Sequence, residues 1–155
     1  MKKLIIVGII VVFVIIVFTV YFIYLQSVDT KYAIEYSRRM GSYDVSQVDT
    51  FLYDDTAITY KDETKTYKEL RYNIITAFNE KKFSMANDSS YGSGNKRFVN
   101  GVQKVGIQSY LNFNGKSVEV YIEMQLEKTG LNSFKVKSLS SNDEFFGYLF
   151  FGITE

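Results

Sequence analysis

The chain opens on an unbroken apolar run and then changes character. Leu4 to Leu25 reads LIIVGIIVVFVIIVFTVYFIYL, 22 residues without a charge. At about 1.5 Å rise per residue, a helix of this length reaches roughly 33 Å, enough to cross a hydrocarbon core. Its many β-branched residues do not argue against helix, because a lone segment in lipid must satisfy its backbone internally. Tyr21 and Tyr24 stand at one end, where aromatic rings favour the headgroup level. A cleaved signal peptide is the alternative, but such peptides have a shorter apolar stretch and a small-residue cleavage site. The exit here, Phe22-Ile23-Tyr24-Leu25-Gln26-Ser27, has no A-x-A pattern. The pattern predicts a tail and uncleaved signal anchor over 1–27 and a separate domain over 28–155.

Beyond the run the apolar positions become periodic. Val28, Tyr32, Tyr36 and Met40 recur every four residues, predicting a helix over 28–40 that continues from the span. Lys31–Glu35 and Glu35–Arg39 are i,i+4 pairs on another face, and Gly41 is a natural stop. Asp44 caps a second short helix with Val45, Val48 and Leu52 on one face. Ala57-Ile58-Thr59-Tyr60 reads as a strand, followed by a turn at Asp62-Glu63-Thr64. Thr66 and Glu69 form a T-x-x-E capping box ahead of a stripe of Tyr67, Leu70, Ile74, Ala77 and Phe78. Phe83 to Ala86 reads as a strand, Asn87 to Gly94 as a Ser/Asn/Gly-rich loop, and Phe98-Val99 as the opening of another strand.

Asn114-Gly115 is the clearest long-range signal, because this dipeptide favours a type I′ hairpin turn. With a two-residue loop, Phe113 faces Lys116. Counting outward pairs Leu111 with Val118, Ser109 with Val120, Ile107 with Ile122 and Val105 with Met124. Nearly all of these pairs are apolar on both sides, while the opposite face pairs Tyr110 with Glu119 and Gln108 with Tyr121. Turn chemistry and alternation agree on one register. A further strand follows Thr129-Gly130, with Phe134 and Val136 inward, and Phe145 to Phe151 is almost wholly aromatic and apolar.

Composition narrows the chemistry. Cys, His, Pro and Trp are all absent from the 155 residues, while Tyr and Phe stand at 13 each. Zinc sites of the Cys/His type, Cys/His dyads and Ser-His-Asp triads are thereby excluded, and no disulfide supports the fold. The full chain carries a net charge of +1; beyond residue 25, sixteen basic residues stand against 17 acidic ones. Neither sign dominates, so nucleic acid is not an expected partner. Lys2 and Lys3 precede the span and Lys31, Arg38 and Arg39 follow it, so the charge rule alone is balanced. A short basic tail, one apolar run and a long domain is the form of a secretory signal. The expected topology is a cytoplasmic N-terminus and an extracytoplasmic C-terminal domain. Scarce Ala and absent Pro point to an AT-rich bacterial genome.

The order of elements resembles the nuclear-transport-factor-2-like superfamily, the cone-shaped fold of ketosteroid isomerase and SnoaL-type proteins. The likeness lies in the run from Asp44 through Asp54-Asp55 to Tyr60, and in Tyr67-Lys68-Glu69-Leu70-Arg71. It implies an α+β domain with helices packed on a curved antiparallel sheet; a cystatin-like domain is the nearest competitor. It also implies a pocket where the sheet curls around the helices, which enzymes of the superfamily line with Asp, His or Tyr. The layout of one span and one such domain resembles the inner-membrane scaffold component of type IV conjugation and secretion machines.

Without His, an acid–base role would fall to carboxylates, Tyr or Lys. Asp49, Asp54 and Asp55 read better as a helix-face charge and a turn, and Tyr60, Tyr67 and Tyr72 as core residues with hydroxyls at the rim. Gly92-Ser93-Gly94-Asn95-Lys96-Arg97 lacks the Walker order, the acidic residues lack calcium-loop spacing, and the Asn87-Asp88-Ser89 sequon is too common a motif to weigh. No catalytic residue, metal or cofactor is assigned. Two candidate contact surfaces remain. One is the outer hairpin face with Tyr110, Glu119, Tyr121 and Glu123, either a plain solvated sheet face or a contact for a protein partner or a second copy. The other is Phe150 and Phe151, either closing the core or forming an exposed aromatic contact. The expected function is a membrane-anchored extracytoplasmic binding or scaffold protein in a cell-envelope, secretion or conjugation assembly. The alternative is a small-ligand pocket protein or a weak isomerase- or hydrolase-like enzyme.

Overall fold

A computed structural model describes residues 2–93, 98, 99, 102–130 and 133–153. Helix α1 (Lys2–Gly41) is continuous through the expected junction and is about 60 Å long. Its segment Ile6–Tyr24 has a mean hydropathy of 3.2, is long and apolar enough to cross a membrane, and is exposed along its length up to Ile23. Burial begins at Tyr24, which packs against the core, and at Val28. The four-residue stripe forms as the spacing predicts: Val28, Tyr36 and Met40 are buried, and Tyr32 packs on Phe51 and Phe134. Glu35 pairs with Arg39 as expected, and also with Arg38. Arg39 reaches on to Gln47 and Thr50, tying α1 to helix α2 (Val45–Asp49).

The remaining elements are β1 (Ala57–Tyr60), β2 (Glu63–Thr66), α3 (Tyr67–Glu80), β3 (Phe83–Ser93), β4 (Phe98–Val99), β5 (Val102–Phe113), β6 (Lys116–Lys128), β7 (Phe134–Ser141) and α4 (Glu144–Phe146), which runs into a π-helical turn (Gly147–Phe151). Asp44 caps α2 through the Ser46 amide, and the Thr66/Glu69 capping box starts α3. The sheet runs β2-β1-β7-β6-β5-β3, with β4 also paired to β5. Asn114 and Gly115 both take positive φ, and the β5–β6 register is the one counted from their turn. One face of the sheet and the helices enclose the core, which holds Val105, Ile107, Leu111, Val120, Ile122, Met124, Val136 and Leu139.

Three expectations are corrected. The sheet is mixed, because β7 lies parallel to β1; the intervening helix and strands supply the long crossover that parallel neighbours need. The turn after β1 is Lys61-Asp62, with Lys61 at φ 53°, and Glu63 and Thr64 belong to strand β2. The stretch read as a loop from Asn87 is part of β3, which pairs with β5 on either side of a register shift between Met85 and Ser90. A shift of this kind absorbs irregular sequence on an edge strand. Residues 94–97 and the side chains of the 87–89 sequon lie outside the described residues.

Tyr36 is fully buried, and its hydroxyl has no hydrogen-bond partner among the described residues. An unpaired buried hydroxyl costs about 1–3 kcal/mol. Tyr36→Phe is therefore expected to raise the melting temperature; a lowered one would show that the hydroxyl is satisfied.

Candidate functional site

The four residues expected on the outer hairpin face do come together. Tyr110 stands directly opposite Glu119 and Tyr121 opposite Gln108 on β5 and β6. The Tyr110 hydroxyl donates to Glu119 at 3.1 Å, and Gln108 also donates to Glu119. Lys104 pairs with Glu123 at 2.7 Å. Tyr110 and Tyr121 remain 40% and 53% exposed, among the most exposed large side chains of the sheet. The result is a polar network with two aromatic rings standing out of it. Strand alternation alone accounts for the grouping, since these positions share one parity on each strand.

Phe150 and Phe151 lie apart from this face. Phe145, Phe146, Leu149 and Phe150 are at most 2% exposed. Phe146 stacks on Phe150 at 4.6 Å, and Phe145 packs on Phe83 and Phe113 at 5.0 and 5.5 Å. Phe150 thus takes the core-closing reading, and Phe151 packs half-buried against Tyr60. Gly152, in the left-handed region at φ 66°, caps the turn, and Asn73 on α3 donates to the Phe150 carbonyl at 2.8 Å.

Two of the three candidate carboxylates, Asp49 and Asp55, are ion-paired. Asp49 accepts two hydrogen bonds from Arg71, at 2.8 and 2.7 Å, and one from the Tyr67 hydroxyl at 2.7 Å. The Arg71 guanidinium lowers its pKa below the ordinary carboxylate value, while burial and the neighbouring Asp49 raise that of Tyr67. Lys135 likewise lowers Asp55 and lies over the Tyr53 ring. A general base working near neutral pH needs the opposite shift. Tyr60, Tyr67 and Tyr72 do not converge: Tyr60 is at one end of the core, Tyr67 meets Asp49, and Tyr72 is 75% exposed. Among the described residues no three His, Cys, Asp or Glu side chains form a group that would hold a metal.

The depressed Asp49 pKa carries a pH dependence. Stability from the Asp49–Arg71 contact is fully present above the unfolded carboxylate value, about 4, and is lost as pH falls through the lower folded value. Both partners are partly exposed, so solvent screening keeps the contribution small. Arg71→Ala is expected to flatten the fall in melting temperature below pH 4; an unchanged slope would place acid sensitivity elsewhere.

Of the three tyrosines that could line the expected pocket, Tyr60 lines a cavity. This cavity of about 150 Å³ opens between Tyr60, Lys61, Lys82, Phe113, Glu144 and Tyr148. These residues come from β1, the turn after it, the α3–β3 link, β5, α4 and the π-helical turn. Nothing local in the chain announces a site assembled from segments this far apart.

No protein-family model matches the sequence, and no curated protein is similar to it in sequence. Solved structures do match in shape. A domain of unknown function with a cystatin-like fold from Nostoc punctiforme superposes with a TM-score of 0.59 at 13% identity, over 83% of this chain and 86% of that one. A protein of unknown function from Shewanella oneidensis, itself nuclear-transport-factor-2-like, superposes with a TM-score of 0.53 at 10% identity, over 69% and 89%. The fold is nuclear-transport-factor-2-like. Identity at this level carries architecture and no activity. In this nuclear-transport-factor-2-like domain the C-terminal aromatic segment packs on β3, β5 and α3, and a cavity of about 150 Å³ remains beside it.

Proposed function

We propose that this protein is a membrane-anchored, non-catalytic binding protein that holds its nuclear-transport-factor-2-like domain on the extracytoplasmic side for a protein partner of a cell-envelope assembly. The observation that carries this reading is the closure of the core by the C-terminal aromatic segment. Phe145, Phe146, Leu149 and Phe150 close the core, and Asp49 and Asp55 outside it are tied to Arg71 and Lys135 rather than poised in a dry cleft. The unbroken α1 supports the anchored reading, since the apolar segment passes into the packed helix without a flexible linker. The expected docking surface is the outer sheet face, where Tyr110 and Tyr121 offer aromatic area within a ring of charge.

Photo-crosslinking in living cells tests this. A photoreactive phenylalanine at position 110 or 121 should give the same adduct, and Glu119→Lys should abolish it. Position 72, as exposed but on α3, should give none. Equal crosslinking from position 72, or none from either sheet position, would remove this face from the account.

A further inference from the structure

The cavity of about 150 Å³ lies at the end of the domain where α1 stops, away from the apolar segment. A Cβ added at Gly41 would meet the Met85 side chain, Met85 pairs with Leu111, and Phe83 pairs with Phe113 two residues further along. The cavity therefore lies near the C-terminal end of α1, and Lys61 at its edge also borders a hollow with Tyr121 and Glu123 of the outer sheet face.

Three aromatic rings stand in the cavity wall, beside Asn114, Ile153 and charged side chains. The Phe113 and Tyr148 rings are 5.0 Å apart at their centres, and Tyr60 lines the other side. The volume suits a single benzene ring, but polar atoms make up most of the exposed lining. Its charges then restrict what that ring can carry. Glu80 accepts from the Tyr148 hydroxyl at 2.8 Å and pairs with Lys82 at 3.0 Å, so the Lys82 charge is matched within the wall. Lys61 and Glu144 remain at the mouth, one of each sign. Lys61 sits over the Tyr60 ring at 5.0 Å, and neither residue makes an ion pair among the described residues.

We propose that this cavity binds a free aromatic α-amino acid, with its ring between Tyr60, Phe113 and Tyr148, its carboxylate toward Lys61 and its ammonium toward Glu144. A singly charged ring compound satisfies one of the two mouth charges and leaves the other facing a ligand with nothing to offer it. The proposal does not depend on the partner-docking reading, because none of its residues is one of Tyr110, Glu119, Tyr121 or Glu123, although Lys61 borders a hollow with Tyr121 and Glu123.

Equilibrium dialysis with the full chain in nanodiscs tests it, using L-phenylalanine, phenylacetate and phenethylamine as probes. L-Phenylalanine should bind saturably and at least fivefold more tightly than either singly charged compound. Glu144→Gln should weaken L-phenylalanine at least fivefold and leave phenylacetate as tight or tighter. Lys61→Met should weaken L-phenylalanine and phenylacetate but not phenethylamine. Circular dichroism confirms that each variant is folded; should either fail to fold, the ranking of the three probes on the unaltered chain still decides. No saturable L-phenylalanine binding, or a ranking that favours a singly charged compound, would overturn the proposal.

Discussion

Phe150→Ser is expected to unfold the domain at ordinary temperatures. Phe150 is wholly buried and stacks on Phe146. Truncating a buried Phe costs about 3–5 kcal/mol through lost transfer energy and the cavity left behind. Placing a hydroxyl in that cavity adds the cost of an unpaired polar group, about 1–3 kcal/mol. Domains of this size hold only about 5–15 kcal/mol in total. Phe151→Ser should cost much less, because Phe151 is only partly buried and its main neighbour is the Tyr60 ring. Thermal melts of both variants would check this. A Phe150→Ser protein melting like the unaltered one would mean that the C-terminal segment does not complete the core.

Gly147→Val is the second severe change, and it acts by crowding. A Cβ at position 147 would meet Tyr60 ring atoms at 2.6–3.0 Å, closer than side chains approach. Tyr60 cannot simply withdraw, because it is buried and Phe151 packs against it. Overpacking of this kind costs about 1–3 kcal/mol, a fall in melting temperature of about 4–11 °C for a domain of this length. The cost should shrink in a Tyr60→Leu background, since the clash and its relief share one partner. Equal cost in both backgrounds would show that Tyr60 does not set the limit.

Local periodicity and turn chemistry made much of the fold readable. The apolar run, the Val28–Met40 stripe, the Thr66/Glu69 box and the Asn114-Gly115 register each need only neighbouring residues, or a count outward from one turn. What stayed hidden needed information from elsewhere in the chain. Strand β2 is Glu-Thr-Lys-Thr, whose burial pattern is mostly exposed, so it has no alternation to read and exists by pairing with β1. The β3 segment carries the Ser, Asn and Gly of a loop, and its partner β5 imposes extension. A second Asn-Gly, Asn100-Gly101, lies between the paired residues Val99 and Val102. It was the available signal for the β4–β5 pairing. The parallel seating of β7 beside β1 is set by the crossover, which no local pattern encodes. For the site, strand parity placed Tyr110, Glu119, Tyr121 and Glu123 together. It could not say whether Phe150 faces in or out, because a fully apolar segment has no polar face to orient it.

The account rests most heavily on the chain being retained in the membrane with its domain on the far side. Cys is absent from the sequence, so a single cysteine at Ser117, exposed at the start of β6, is the only one that a maleimide can label. A membrane-impermeant maleimide applied to intact cells should label full-length protein in the membrane fraction. Labelling only after lysis, or a labelled domain released without its first 25 or so residues, would contradict the anchored extracytoplasmic reading.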